Sequence, residues 1–301
     1  MHLNLKTMRI VHLFAAGLIL ISCNGAIEPG NTDPTPTPQP EPIPVNIALS
    51  LSTRATDTAY ENGDQIGLYM VYGNSMLSSG NYINNKKYTL SDSKWKGDDA
   101  AYWKDETTTA DFYCYHPYAA PSDALAYEFS VKADQTDLYN YKASDFLWGK
   151  TVGVKPSKSP VSITTAHIMS NMVIDLVPGA GFTKEEFDAA EKSVTIGNVA
   201  LQATINLSTG GVTAKGEAKS IKAFADGGSY KAIVVPQSVA ADTEMLIVTV
   251  AGVTYTSKEE FTFKPQTRHQ MTVTVDKIAA GLDITIEDWK VDNEDHNSSV
   301  N

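Results

Sequence analysis

From residue 45 onward, apolar residues recur at every second position in short runs, and turn-forming residues separate the runs. Side chains two apart on a strand share a face, so each run reads as a β-strand with one face buried. Val45, Ile47, Leu49 and Leu51 alternate with Asn46, Ala48, Ser50 and Ser52. Residues 65–72 follow the turn pair Asn62-Gly63. Residues 111–116 set Phe112, Cys114 and His116 on one face and Tyr113 and Tyr115 on the other. Further strands are predicted at 127–131, 145–149, 161–165 and 172–177. They resume at 193–199, 201–207, 230–235, 245–250, 261–263, 271–275 and 282–286. Helical signal is scarce: Thr183 with Glu186 forms a capping-box pattern that predicts one helical turn over 183–191. Many short strands with regular turn signals predict an all-β chain of β-sandwiches.

The N-terminus reads as an address. Lys6 and Arg9 precede the apolar run Ile10–Ile21, which falls short of the roughly 20 residues a spanning helix needs. The run ends Leu20-Ile21-Ser22-Cys23, which resembles a bacterial lipobox with Cys23 as the acylated residue. The alternative is a plain secretory signal with a chance cysteine. The expected organisation is a signal peptide at 1–22, a Pro-rich linker at 23–44, sandwiches at 45–158 and 159–290, and a polar tail at 291–301. The linker alternates Pro34, Pro36, Pro38, Pro40, Pro42 and Pro44, an extended spacer reaching on the order of 60 Å. The sandwich boundary is placed in the Pro- and Ser-rich segment Lys155–Pro160.

Composition narrows the chemistry. A formal charge of -11 argues against nucleic acid, which attracts clustered Lys and Arg. With Cys23 assigned to lipid, Cys114 is left alone, a small core or edge residue with no intrachain disulfide. No zinc-protease, nucleophile-elbow or phosphate-loop motif occurs, and His116, His167, His269 and His296 are scattered. The chain is therefore read as no enzyme, with no cofactor and no metal. The acids around Glu61-Asn62-Gly63-Asp64 lack calcium-loop spacing and read as a turn.

Two features leave alternatives open. The strand at 45–51 lies between the flexible leader and Arg54. On the residues alone, an ordinary first strand with a surface arginine is the simpler reading. The other is a strand that an arginine-specific protease cuts away between Arg54 and Ala55, opening an apolar groove. Secondly, twelve of the fourteen tyrosines lie between Tyr60 and Tyr141, with Trp95, Trp103 and Trp148 nearby. Such aromatics suit half-exposed sandwich strands. They also suit an adhesive face, for which Tyr82, Tyr88, Trp95, Tyr102 and Trp103 are the candidates.

Several segments together resemble the Bacteroidales fimbrillin family, the subunits of type V pili. In order they are Cys23, Thr53-Arg54-Ala55, Gly63-Asp64-Gln65-Ile66-Gly67, Phe112 to Pro117, Ala166 to Met172, Val234-Val235-Pro236-Gln237 and Ile284 to Trp289. The resemblance implies two transthyretin-like Greek-key β-sandwich domains. It also implies export as an outer-membrane lipoprotein precursor, held to the membrane through lipid on Cys23, and a place at the cell surface in a fimbrium. Cleavage after Arg54 would remove Val45, Ile47, Leu49 and Leu51, and other pilus subunits would refill the groove by β-strand addition. The tail after Trp289 departs from the family's donor extension, since only Val291 and Val300 are apolar. A tip, accessory or anchor subunit is expected over a stalk subunit, facing a host or bacterial surface protein or glycan. The rival reading is a glycan-binding surface lipoprotein that does not polymerise.

Overall fold

A computed structural model of the chain describes residues 41–52, 60–73, 75–277 and, as backbone, 282–285. The chain falls into two units, Met1–Glu41 and Pro42–Asn301, and all the elements below lie in the second. The first strands are β1 (Ile47–Leu51), β2 (Gln65–Val71), β3 (Ile83–Ser91), β4 (Lys94–Gly97), β5 (Ala110–His116) and β6 (Tyr127–Ser130). Helix α1 (Leu138–Ala143) precedes β7 (Leu147–Val154), β8 (Val161–His167) and β9 (Ser170–Pro178). Helix α2 (Lys184–Ala189) precedes β10 (Lys192–Asn206), β11 (Gly211–Lys222), β12 (Phe224–Asp226), β13 (Ser229–Val234) and β14 (Gln237–Val239). The chain continues through β15 (Leu246–Val250), β16 (Val253–Ser257), β17 (Phe261–Phe263), β18 (Thr267–Val275) and β19 (Leu282–Thr285).

A seven-stranded sheet runs β1-β8-β7-β5-β2-β3-β4. Its two central strands are buried on both faces, because their side chains alternate between two separate cores. Ile66, Leu68 and Met70 of β2 and Phe112 and Cys114 of β5 enter one core. Tyr69, Val71, Tyr113 and Tyr115 enter the other. That second core continues between two five-stranded sheets, through Val194, Ile196 and Val248 on one side and Met172, Ile174 and Val273 on the other. These two sheets are the faces of a sandwich, as the alternation predicts.

Strand partnership crosses the point between residues 158 and 159. β8, just beyond it, pairs with β7 and β1, while β6, before it, pairs with β10. The two strands expected at 193–199 and 201–207 are one, β10. Asn198 takes a left-handed φ of 57°, its side chain bonds the Glu244 carbonyl at 2.8 Å, and the register against β11 shifts twice. A bulge absorbs what the sequence suggested as a break. β3 was not predicted, because its Asn84, Asn85, Lys86 and Lys87 mask the alternation. α2 starts at the predicted cap: Thr183 Oγ1 accepts from Glu186 N at 3.1 Å, and Glu186 Oε2 accepts from Thr183 N at 3.2 Å.

Gly67 is fixed by space. A Cβ there would collide with the Tyr115 ring and Asn85 Oδ1. That ring is itself pinned, its hydroxyl bonded to Asn85 Oδ1 at 2.8 Å and to the Ala119 carbonyl at 2.7 Å. Gly67→Ala is therefore expected to lower stability by about 1–3 kcal/mol, read as a shift in the urea midpoint. An unchanged midpoint would show that the tyrosine moves freely.

Candidate functional site

The candidate site is the seat of β1. β1 forms an edge of the seven-stranded sheet and runs parallel to β8, with Ile47 opposite Val161 and Leu51 opposite Thr165. Asn46 O accepts from Val161 N at 2.8 Å, and Ser52 N donates to Thr165 O at 2.7 Å. Alternation sorts the side chains. Val45 and Ile47 are 5% and 6% exposed, Leu49 and Leu51 are half-buried, and Asn46, Ala48 and Ser50 face solvent. On the outward side Ser50 Oγ meets Thr164 Oγ1 at 3.1 Å. Val45 and Ile47 close one end of the core formed by Ile66, Leu68, Met70, Phe112, Val161 and Ile163.

A second anchor lies just before the strand. Val45 N donates to Ala101 O at 2.8 Å, Trp103 N donates to Ile43 O at 2.9 Å, and Pro44 bridges Tyr102 in antiparallel sense. Residues 43–45 thus bond to the segment between β4 and β5. Tyr60 follows, its hydroxyl 2.9 Å from Thr165 Oγ1 and its ring edge-on to Trp95 at 5.1 Å. Burial holds its phenol well above the ordinary range. Arg54 and Ala55, and likewise Cys23 and the tail 291–301, lie outside the described residues.

The five aromatics expected to form an adhesive face do not form one. Tyr88 and Trp103 are 3% and 4% exposed and belong to the core beneath β1. Trp103 packs edge-on against Phe112 at 5.3 Å, as a large apolar ring does when a core has room for it. Trp95 is half-buried against Tyr60, leaving Tyr82 and Tyr102 exposed. Composition did not reveal a different grouping. Tyr82 meets Tyr72 edge-on at 4.9 Å, Lys104 Nζ sits 5.7 Å from the Tyr72 ring, and Leu77 is exposed beside them. No local pattern links Tyr72, Leu77 and Lys104, because the loop after β2 and a distant segment bring them together.

The reactive candidates are structural. Cys114 is fully buried, and burial pushes its thiol far up. His167 Nδ1 contacts Asp145 Oδ2 at 2.5 Å inside the protein. Among the described residues, no cluster of three His, Cys, Asp or Glu is placed to hold a metal. The fold and the site define an all-β sandwich protein whose candidate functional element is a strand and its seat.

Comparison with known proteins agrees with that class. The chain belongs to the fimbrillin-like family, whose model matches residues 53–289. This is a family of fimbrial structural and adhesion subunits rather than of enzymes. Fim1C of Bacteroides uniformis, a candidate fimbrium subunit, is 26% identical over 301 residues, covering 93% of this chain and 95% of that protein. Fim1C of Bacteroides ovatus, a candidate fimbrium tip subunit, is 27% identical over 143 residues, which is 42% of this chain and 26% of that protein. The crystal structure of a candidate cell adhesion protein from Bacteroides uniformis superposes with a TM-score of 0.65 at 26% identity, covering 82% of this chain and 99% of that one.

If β1 is part of the core, Ile47→Ala should cost about 2–4 kcal/mol in urea unfolding, while Ser50→Ala on the outward side changes little. Equal effects from the two would mean that the strand merely lies on the surface.

Proposed function

We propose that this chain is a fimbrial subunit exported as a lipoprotein precursor through Cys23 and assembled by strand exchange. In this reading an arginine-specific protease cuts between Arg54 and Ala55, β1 leaves, and an extended segment of another subunit takes its seat. The carrying observation is the position of β1. It is an edge strand, it covers a core of its own, and the segment carrying Arg54 joins it to the rest of the chain. A central strand with two hydrogen-bonded neighbours could not be withdrawn without breaking the sheet. An edge strand can, and its loss leaves unpaired backbone and an apolar trough.

The energetics favour replacement over an empty seat. Burying one aliphatic side chain contributes about 1.5–3 kcal/mol, and Val45 and Ile47 are both fully covered. Exposing the matching surface of Leu68, Phe112 and Ile163 adds to the cost. A place at the tip or as an accessory is supported by the partial similarity to the Bacteroides ovatus tip subunit.

One observation favours a second reading, a surface lipoprotein that keeps β1 and binds a glycan or protein. Exposed Tyr82 and Leu77, beside half-buried Tyr72, offer the aromatic surface such a ligand would need. The mass of the mature protein separates the two. Exchange predicts a product starting at Ala55, and Arg54→Ala should leave the longer form and abolish incorporation into polymer. A polymer assembled from uncut Arg54→Ala protein would rule the cleavage out.

A further inference from the structure

β1 is held unevenly along its length. Residues 43–45 bond to Ala101–Trp103, and Val45 and Ile47 are buried. Beyond Ile47, among the described residues, only β8 pairs with the strand. In a parallel ladder alternate residues turn their peptide groups to the same partner. The bonds at Asn46 O and Ser52 N place the even-numbered residues on β8. The peptide groups of Ile47, Leu49 and Leu51 therefore face the other way, where no strand pairs with them among the described residues. On that side lies a cleft of about 540 Å³, lined by Ile47 and Leu49 on one wall and by Leu90 and Trp95 on the other. The second wall comes from the β3–β4 hairpin at the opposite end of the same sheet.

We propose that this cleft is the entry point where an extended aliphatic segment of a second subunit first binds, before β1 has left. β1 is then peeled away from Leu51 back to Val45. The inference rests on the strand-exchange reading. β1 itself shows what the occupant must be. A segment that finally replaces it needs aliphatic side chains at alternate positions to enter the Phe112 core. The same pattern suits the cleft, where the free edge of β1 offers backbone partners and Trp95 and Leu90 offer an apolar wall. The order of release follows from the anchors. The Leu51 end has one pairing partner and adjoins the proposed cut, whereas residues 43–45 are bonded to a separate segment and leave last. Prior binding spares the core a state in which the whole seat is open to water.

The test uses the full chain cut once within residues 53–59, mixed with a labelled synthetic peptide of residues 43–52. Uptake is followed by fluorescence anisotropy and native mass spectrometry. The uptake rate should rise in proportion to peptide concentration. It should fall about tenfold in Trp95→Ala, the loss of one aromatic anchor. Ala48→Trp, which fills the cleft from an exposed position, should slow uptake similarly. For Trp95→Ala the final amount bound should change less than the rate, because Trp95 meets the entering segment before the seat is filled. If Trp95→Ala does not fold, Ala48→Trp decides. A rate that levels off at the spontaneous release of β1, or that neither variant changes, overturns the entry point and leaves strand exchange standing. No uptake by the unsubstituted cut chain overturns strand exchange and the entry point together.

Discussion

The interaction on which the rest depends is the burial of the inward face of β1 against the core of the seven-stranded sheet. Val45 and Ile47 are almost wholly covered, and they belong to a core whose other members come from β2, β3, β5 and β8, with Trp103 from the segment after β4. At about 1.5–3 kcal/mol per buried aliphatic, these contacts are a large fraction of the roughly 5–15 kcal/mol that keeps a typical domain folded. Yet from Ile47 to Leu51 the strand lies at an edge and, among the described residues, pairs with β8 alone. Strong side-chain anchoring combined with light backbone anchoring is the combination that the proposed strand exchange draws on.

The two-core arrangement confines the consequences. β2 and β5 send Leu68 and Phe112 to the core under β1, and Tyr69, Tyr113 and Tyr115 to the core shared with the second pair of sheets. The Tyr115 ring stacks on Phe146 at 5.7 Å and meets Tyr127 at 5.4 Å, so the second core is packed independently of β1. Under the proposed exchange, a change of occupant would disturb one face of the sheet while the other face holds the central strands in place.

Period-two alternation made the strands legible, and β1, β2, β5, β8 and β15 lie where it placed them. Alternation says which residues share a face, not which core that face meets. The two-sided strand at Phe112–Tyr115 was readable, whereas the division of its faces between two cores was not. Pairing partners were hidden too, since Ile47 meets Val161 across more than a hundred residues and nothing local encodes it. Tyr88 and Trp103 were misplaced for the same reason. An abundance of aromatics does not give depth, and both rings serve the core that β1 closes. β10 escaped division because Asn198 tolerates the left-handed conformation that a bulge requires.

The most direct test of this account is what happens to the N-terminal segment when the chain is cut within residues 53–59 and no competing strand is added. Native mass spectrometry combined with thermal unfolding would show it. The account predicts that the fragment carrying Val45–Leu51 stays bound and melts in one transition with the remainder. It also predicts that the remainder, stripped of the fragment in denaturant and refolded alone, regains only a weakened first sheet. A fragment that departs on cutting and leaves the transition unchanged would contradict it.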